Sequence, residues 1–225
     1  MEVLAMSIAT EFKPTVAEAA FIANISDRDA NRLVDEAILP AELFETRDGR
    51  RLQLLGCVLG AFYFRQEKTL TKQAREEVIR AFVSQVKRGE HYRAFLTLST
   101  SIRKRDWSVS LGDVSVELFD YAIVAQKRYA TIIRTEKLIV SDPDVYDGEP
   151  VFKGTRVPVR TIAAWIDEGI PIEKIQEAYP AVTEKMVSLA PIYEKTHPRR
   201  GRPHKFGKIN PDWKVKDVEH VKLSA

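Results

Sequence analysis

Residues 141–159 read Ser-Asp-Pro-Asp-Val-Tyr-Asp-Gly-Glu-Pro-Val-Phe-Lys-Gly-Thr-Arg-Val-Pro-Val, and this connector constrains the chain more than any other segment. Pro158 cannot donate to a ladder, so the strand it closes is a sheet edge or an ending. Gly154 suits a positive φ or a close backbone approach, and Pro143 with Gly148 fits a turn. Helical spacing takes over immediately afterwards. A helix over 160–168 turns Ile162, Ala163, Trp165 and Ile166 inward and is stopped by Gly169. Ile172, Ile175 and Ala178 define a second helix ending at Tyr179-Pro180, and Thr183 caps a third through about Tyr193 that buries Met186, Leu189 and Ala190. The result is a tri-helical unit with helix-turn-helix proportions. Asp167, Glu168, Glu173, Glu177 and Glu184 make it a poor phosphate surface, so packing, dimerisation or protein recognition suits it better than reading DNA. The plain reading of Arg156 is an ion pair with a carboxylate of the same unit. Asp142, Asp144 and Asp147 invite a calcium loop, but Tyr146 stands where a third acidic ligand is needed and Lys153 replaces the closing Glu. No metal or other cofactor is expected.

The segments Gly148-Glu-Pro150, Gly154-Thr-Arg156, Val157-Pro-Val159 and Tyr179-Pro180 together resemble the small trihelical domain of VapB-type antitoxins. The resemblance covers roughly residues 138–198. It implies a PIN-like ribonuclease toxin as partner, wrapped by the segment beyond the folded domain.

With 225 residues, 44% of them hydrophobic, the chain can bury a substantial core. Charged residues make up 30% and the net charge is +3, which leaves a nucleic-acid partner to be decided by local charge. The single Cys57, inside Leu54-Leu-Gly-Cys-Val-Leu-Gly-Ala-Phe, excludes a disulfide framework and reads as a buried thiol. No apolar run reaches spanning length and the start lacks a signal pattern, so a cytoplasmic location is expected.

Residues 1–66 read as a DNA-binding head. Thr15 with Glu18 has the form of a capping box before Val16–Ala23, Asn24-Ile-Ser26 makes a turn, and Ser26 caps a second helix to about Ala37. Asp48-Gly49 between β-rich arms signals a hairpin, with an apolar helix starting at Leu54. This order resembles the winged helix-turn-helix heads of the MerR/excisionase class. It implies that the second helix enters the major groove, with Arg28, Asn31 and Arg32 at bases or phosphates and Arg47, Arg50 and Arg51 of the hairpin at the neighbouring backbone or minor groove. The alternative is a solvated helix and turn carrying ordinary surface charge.

Residues 67–140 read as a mixed bridging and dimerisation region. Thr71 caps a helix over 72–88 with a stripe of Ala74, Val78, Ala81, Phe82 and Val86, ended by Gly89. Phe95–Leu98 reads as a strand, and Val109–Val116 as a hairpin about Gly112-Asp113. Leu118, Tyr121, Ala122, Ala125, Tyr129, Ile132 and Ile133 mark a helix of about 117–137 whose stripe is core or a dimer seam. Arg103-Lys-Arg105 beside Trp107 reads as a solvated turn in preference to a phosphate patch.

Residues 197–225 read as an extended arm, completing an α+β, mainly α architecture: winged head, mixed middle, trihelical unit and arm. Arg200-Gly-Arg-Pro203 has the core of an AT-hook, which would lay arginine into a narrow minor groove. The competing reading comes from the antitoxin resemblance: Arg199, Arg200 and Arg202 would pair with the metal-binding carboxylates of a toxin. Phe206 and Trp213, with Ile209, Val215, Val218 and Val221, are spaced apolar anchors that favour wrapping a partner. The functional expectation is thus a type II antitoxin that neutralises a PIN-like ribonuclease and represses its own operon, as a homodimer or a toxin–antitoxin hetero-oligomer. The alternative is a stand-alone transcription regulator using head and arm on DNA. Four scattered histidines (His91, His197, His204, His220) and an apolar cysteine leave no catalytic constellation, so an enzyme is not expected.

Overall fold

The computed structural model describes residues 12–98, 100–143 and 146–198. Local chemistry places the first elements. The Thr15 hydroxyl accepts from the Glu18 N–H at 3.4 Å, and the Glu18 carboxylate accepts from the Thr15 N–H at 2.7 Å, closing a reciprocal cap on α1 (Val16–Ala23). Asn24 ends α1 in the left-handed region at φ 55°, which asparagine tolerates better than most residues. Ser26 then accepts from the Asp29 N–H at 3.1 Å and starts α2 (Asp27–Asp35). Strands β1 (Phe44–Glu45) and β2 (Arg51–Leu52) pair antiparallel, Phe44 opposite Leu52 and Glu45 opposite Arg51, with Gly49 at φ 91° near the tip.

Helix α3 (Leu54–Arg65) buries every residue from Leu54 to Tyr63, so it is a core helix rather than an amphipathic surface helix. Two glycines make this possible. A Cβ at Gly60 would lie 2.5 Å from Leu33 Cδ1, and one at Gly56 would lie 3.2 Å from Leu39 Cδ1. Around α3 pack α1, α2, α4 (Lys72–Arg88) and α6 (Phe119–Glu136). Thr71 caps α4 and Gly89 ends it; the buried stripe is Val78, Ile79, Phe82, Val83 and Val86, with Ala74 and Ala81 half-buried at its margin.

Phe95–Leu98 is not a strand. Tyr92–Leu96 forms α5, and Leu98 turns away at φ 45°. A strand here would need a partner for its ladder, whereas one helical turn satisfies the backbone locally and still seats Phe95 against Phe82 and Trp107. Strands β3 (Ser108–Leu111) and β4 (Val114–Glu117) form the expected hairpin, with Gly112 at φ 59° in its turn. Trp107 is fully buried beneath it, which leaves Arg103 and Lys104 as turn residues without an aromatic platform.

The apolar stripe of α6 is spent inside the chain. Leu118, Ala122, Ala125 and Ile132 are buried against α1, α3 and α9 (Glu184–Thr196). After α6, β5 (Ile139–Val140) pairs antiparallel with β6 (Val151–Phe152), and α7 (Val159–Asp167) and α8 (Ile172–Ala178) come next. Phe152, Val159, Ile162, Ala163, Ile175, Val182, Val187 and Ala190 form a second core beneath these helices. Helix α9 belongs to both: Tyr193 packs on the second core and Ile192 on the first. The protein is therefore α+β and mainly helical, with small two-stranded antiparallel sheets. Among the described residues, no helix is long and apolar enough to cross a membrane.

Candidate functional site

Among the described residues, three places that concentrate polar side chains stand out. The first is the outer surface of α2 and the hairpin. Arg50 reaches from the hairpin to α2, donating through Nη1 to Asn31 Oδ1 at 2.7 Å and to Asp35 Oδ2 at 3.0 Å. Arg32 is held within its own helix by Glu36 at 2.7 Å and Asp29 at 3.1 Å, and its guanidinium lies 5.2 Å from the Phe64 ring centre. The hydrogen bond with Glu36, then that with Asp29, pushes Arg32 further up from its ordinary value, and the same contact lowers Glu36. Arg51 donates to the Lys13 carbonyl at 3.0 Å. The side chains of Arg28 and Arg47 are exposed and make no hydrogen bond or ion pair among the described residues. Of the six expected contact residues, the structure joins Asn31 and Arg50 directly, engages Arg32 and Arg51 with other partners, and leaves Arg28 and Arg47 uncommitted among the described residues.

The second place is the connector. Gly154 takes φ 81°, and Thr155 locks the turn around it: its hydroxyl donates to the Phe152 carbonyl at 2.9 Å and accepts from the Val157 N–H at 3.1 Å. The Phe152 N–H donates to the Val157 carbonyl at 3.1 Å, and the Lys153 N–H to the Leu138 carbonyl at 2.8 Å. The Gly-Thr-Arg segment is therefore a self-bonded turn that displays Arg156 to solvent. Among the described residues Arg156 makes no ion pair, and it is Arg160 that takes Glu149 at 2.8 Å. Asp167, Glu168, Glu173, Glu177 and Glu184 are all exposed, as an acidic face requires. A groove of about 680 Å³ opens between α7 and α8, lined by Trp165, Ile170, Pro171 and Lys174 among others.

The third place was not legible from spacing. Glu18 on α1, Glu136 at the end of α6 and His197 just after α9 bring one ligand atom each to within 4.8 Å of one another. Glu18 is 5% exposed, and its Oε2 is taken by the Thr15 N–H. The other oxygen faces His197 Nε2 at 4.0 Å, beyond hydrogen-bond reach. His197 stacks on Tyr193 with ring centres 4.2 Å apart, and its Nδ1 lies 3.3 Å from the Tyr193 carbonyl and 3.0 Å from Thr196 Oγ1. Burial raises the Glu136 carboxyl above its ordinary value; Glu18 adds to the rise and His197 opposes it. Cys57, by contrast, is an inert core thiol pushed far up by burial, with the charge of Glu18 adding to it.

The arm residues Arg199, Arg200, Arg202, Phe206 and Trp213 lie outside the described residues.

Residues 139–193 match the family described as "Protein of unknown function (DUF433)", the segment running from β5 to α9. Over 192 residues, 85% of either chain, the sequence is 33% identical to "Uncharacterized protein y4eO" of Sinorhizobium fredii (strain NBRC 101917 / NGR234). The chain belongs to the same family as that protein. Among solved structures, that of Rv2018 from Mycobacterium tuberculosis is 16% identical, covers 78% of this chain and 95% of its own, and has a TM-score of 0.30. A likeness that slight supports no conclusion about this chain.

Proposed function

We propose that this protein is a type II antitoxin: a DNA-binding autorepressor whose C-terminal arm neutralises a PIN-like ribonuclease. In this reading α1, the turn at Asn24–Ser26 and α2 act as a helix-turn-helix, and the β1–β2 hairpin acts as its wing. The observation that carries the DNA half is the pair of uncommitted cations, Arg28 at the exposed start of α2 and Arg47 near the hairpin tip, on a hairpin pinned to α2 through Arg50. A fixed hairpin and helix can present two cations at a set separation to successive phosphates. The toxin half is supported by the antitoxin-like motif at 148–159 and by the arginine-rich, apolar-anchored arm beyond α9. As an antitoxin the protein works by binding and needs no catalytic group.

Co-purification of the tagged chain from its native host, against a chain ending at His197, tests the partner. A nuclease retained by the full chain and lost by the shorter one is expected, and Arg200→Ala with Arg202→Ala should release its RNase activity while DNA binding survives. No partner with either chain would leave a stand-alone regulator in which Arg200-Gly-Arg-Pro203 serves as a minor-groove arm.

A further inference from the structure

We propose that Glu18, Glu136 and His197 form a binding site for one divalent transition-metal ion of the zinc class, which clasps the root of the C-terminal arm to the first helix of the head. The three residues come from α1, the end of α6 and the end of α9, elements that already pack together. Glu18 Oε2 is held by the Thr15 N–H, which frees Oε1. The contact of His197 Nδ1 with the Tyr193 carbonyl and the stacking on Tyr193 orient the ring so that Nε2 faces Glu18. Backbone-held histidine of this kind is the usual outer support of a metal-ligating imidazole. Glu136 makes no hydrogen bond or ion pair among the described residues, although it is half-buried.

A carboxylate nine-tenths buried, a half-buried carboxylate and an imidazole nitrogen thus converge without hydrogen bonds to one another. Left so, two carboxylates repel in a partly desolvated pocket; a dication between them reverses the sign of that interaction. Imidazole with carboxylates suits Zn²⁺, which binds both nitrogen and oxygen at about 2.0–2.2 Å. Atoms sharing such an ion stand about 3–3.5 Å apart. Ligand atoms now up to 4.8 Å apart must therefore close by about 1.3–1.8 Å to share such an ion, within reach of side-chain rotation. Three protein ligands leave an open position for water or for a group supplied by a partner.

Calorimetric titration of ZnCl₂ into the metal-stripped full chain tests this. One ion per chain is expected, with affinity falling at least about tenfold in Glu136→Gln and in His197→Gln. The exposed His91→Gln, and His204→Gln with His220→Gln, should bind as the parent does. Binding that survives the first two substitutions, or its absence in the parent at millimolar ion, overturns the site. A second measurement needs no variant: Zn²⁺ should block diethyl pyrocarbonate modification of His197, mapped by mass spectrometry, while His91 continues to react. Equal modification of both with and without the ion would also overturn it.

Discussion

Arg50 and Asn31, nineteen residues apart in sequence, are joined by a 2.7 Å hydrogen bond that carries the hairpin onto the middle of α2. Asp35 shares the same guanidinium, so Arg50 is oriented by one neutral and one charged partner. The surrounding α2 surface holds Asp27, Asp29, Asp35 and Glu36 against Arg28 and Arg32, which makes α2 itself acidic. Any DNA contact there must be made by few cations.

Asp35→Asn is accordingly expected to strengthen duplex DNA binding and to steepen its salt dependence by about one phosphate contact. Arg28→Ala and Arg47→Ala should each weaken binding and flatten that dependence by about one contact. Fluorescence anisotropy at several salt concentrations reads all three. Identical slopes in parent and variants would take the head out of DNA binding.

Gly60→Ala tests the closest approach in the core. Alanine in a helix is ordinarily worth about 1 kcal/mol over glycine. Here the new Cβ would meet Leu33 Cδ1 at 2.5 Å, so the Leu33 side chain, 1% exposed, must shift within the packed core. Overpacking of about 1–3 kcal/mol outweighs the propensity gain. Net destabilisation in urea is expected, partly relieved by adding Leu33→Val, and strict additivity of the two changes would refute the contact.

Trp107 anchors the other side of the molecule. It stacks on Phe82 with ring centres 5.6 Å apart, meets Phe95 edge-on at 4.8 Å, and donates from Nε1 to the Ile102 carbonyl at 3.0 Å. Trp107→Ala should cost about 3–5 kcal/mol. Trp107→Phe should cost less, since it keeps a ring in place and the Ile102 carbonyl still accepts from the Arg105 N–H at 3.1 Å. Thermal melts monitored by circular dichroism rank the two, and equal melting temperatures would contradict the packing described.

Asp106 gives a defined acid response. Its carboxylate accepts from the Ser108 hydroxyl at 2.7 Å and from the Ser108 N–H at 2.9 Å, and the hydroxyl's hydrogen bond first, then the backbone's, lowers its pKa below the ordinary 3.8. A carboxyl depressed in the folded state stabilises the fold above its unfolded value and loses that contribution as pH falls through the folded one. The parent should therefore lose more stability than Asp106→Asn between about pH 5 and about pH 2. Parallel acid curves would exclude this contribution.

What the sequence made legible depends on the range of each signal. Thr15, Ser26, Thr71 and Thr183 were readable as caps because each bonds a backbone group three residues on. Gly49 and Gly112 marked hairpins because the turn itself demands a positive φ. Phe95–Leu98 misled because β-rich side chains say nothing about whether a partner strand exists. The pairing of Arg160 with Glu149 was not readable, since it depends on how the loop folds back over the first turn of α7. The meeting of Glu18, Glu136 and His197 left no trace in spacing at all, since it depends on how α1, α6 and α9 pack.

Helix α9, the last described, lies against α1, the first. During synthesis the surfaces of α1 and α6 that receive it stay bare until the ribosome has added the residues from 137 to 196, roughly 3–12 seconds at ordinary elongation rates. A contact spanning nearly the whole chain is also the slowest kind to find. Products that stop short of α9 carry an open apolar seam and are the natural prey of proteases. Completion of α9 thus closes the seam that the earlier helices leave open.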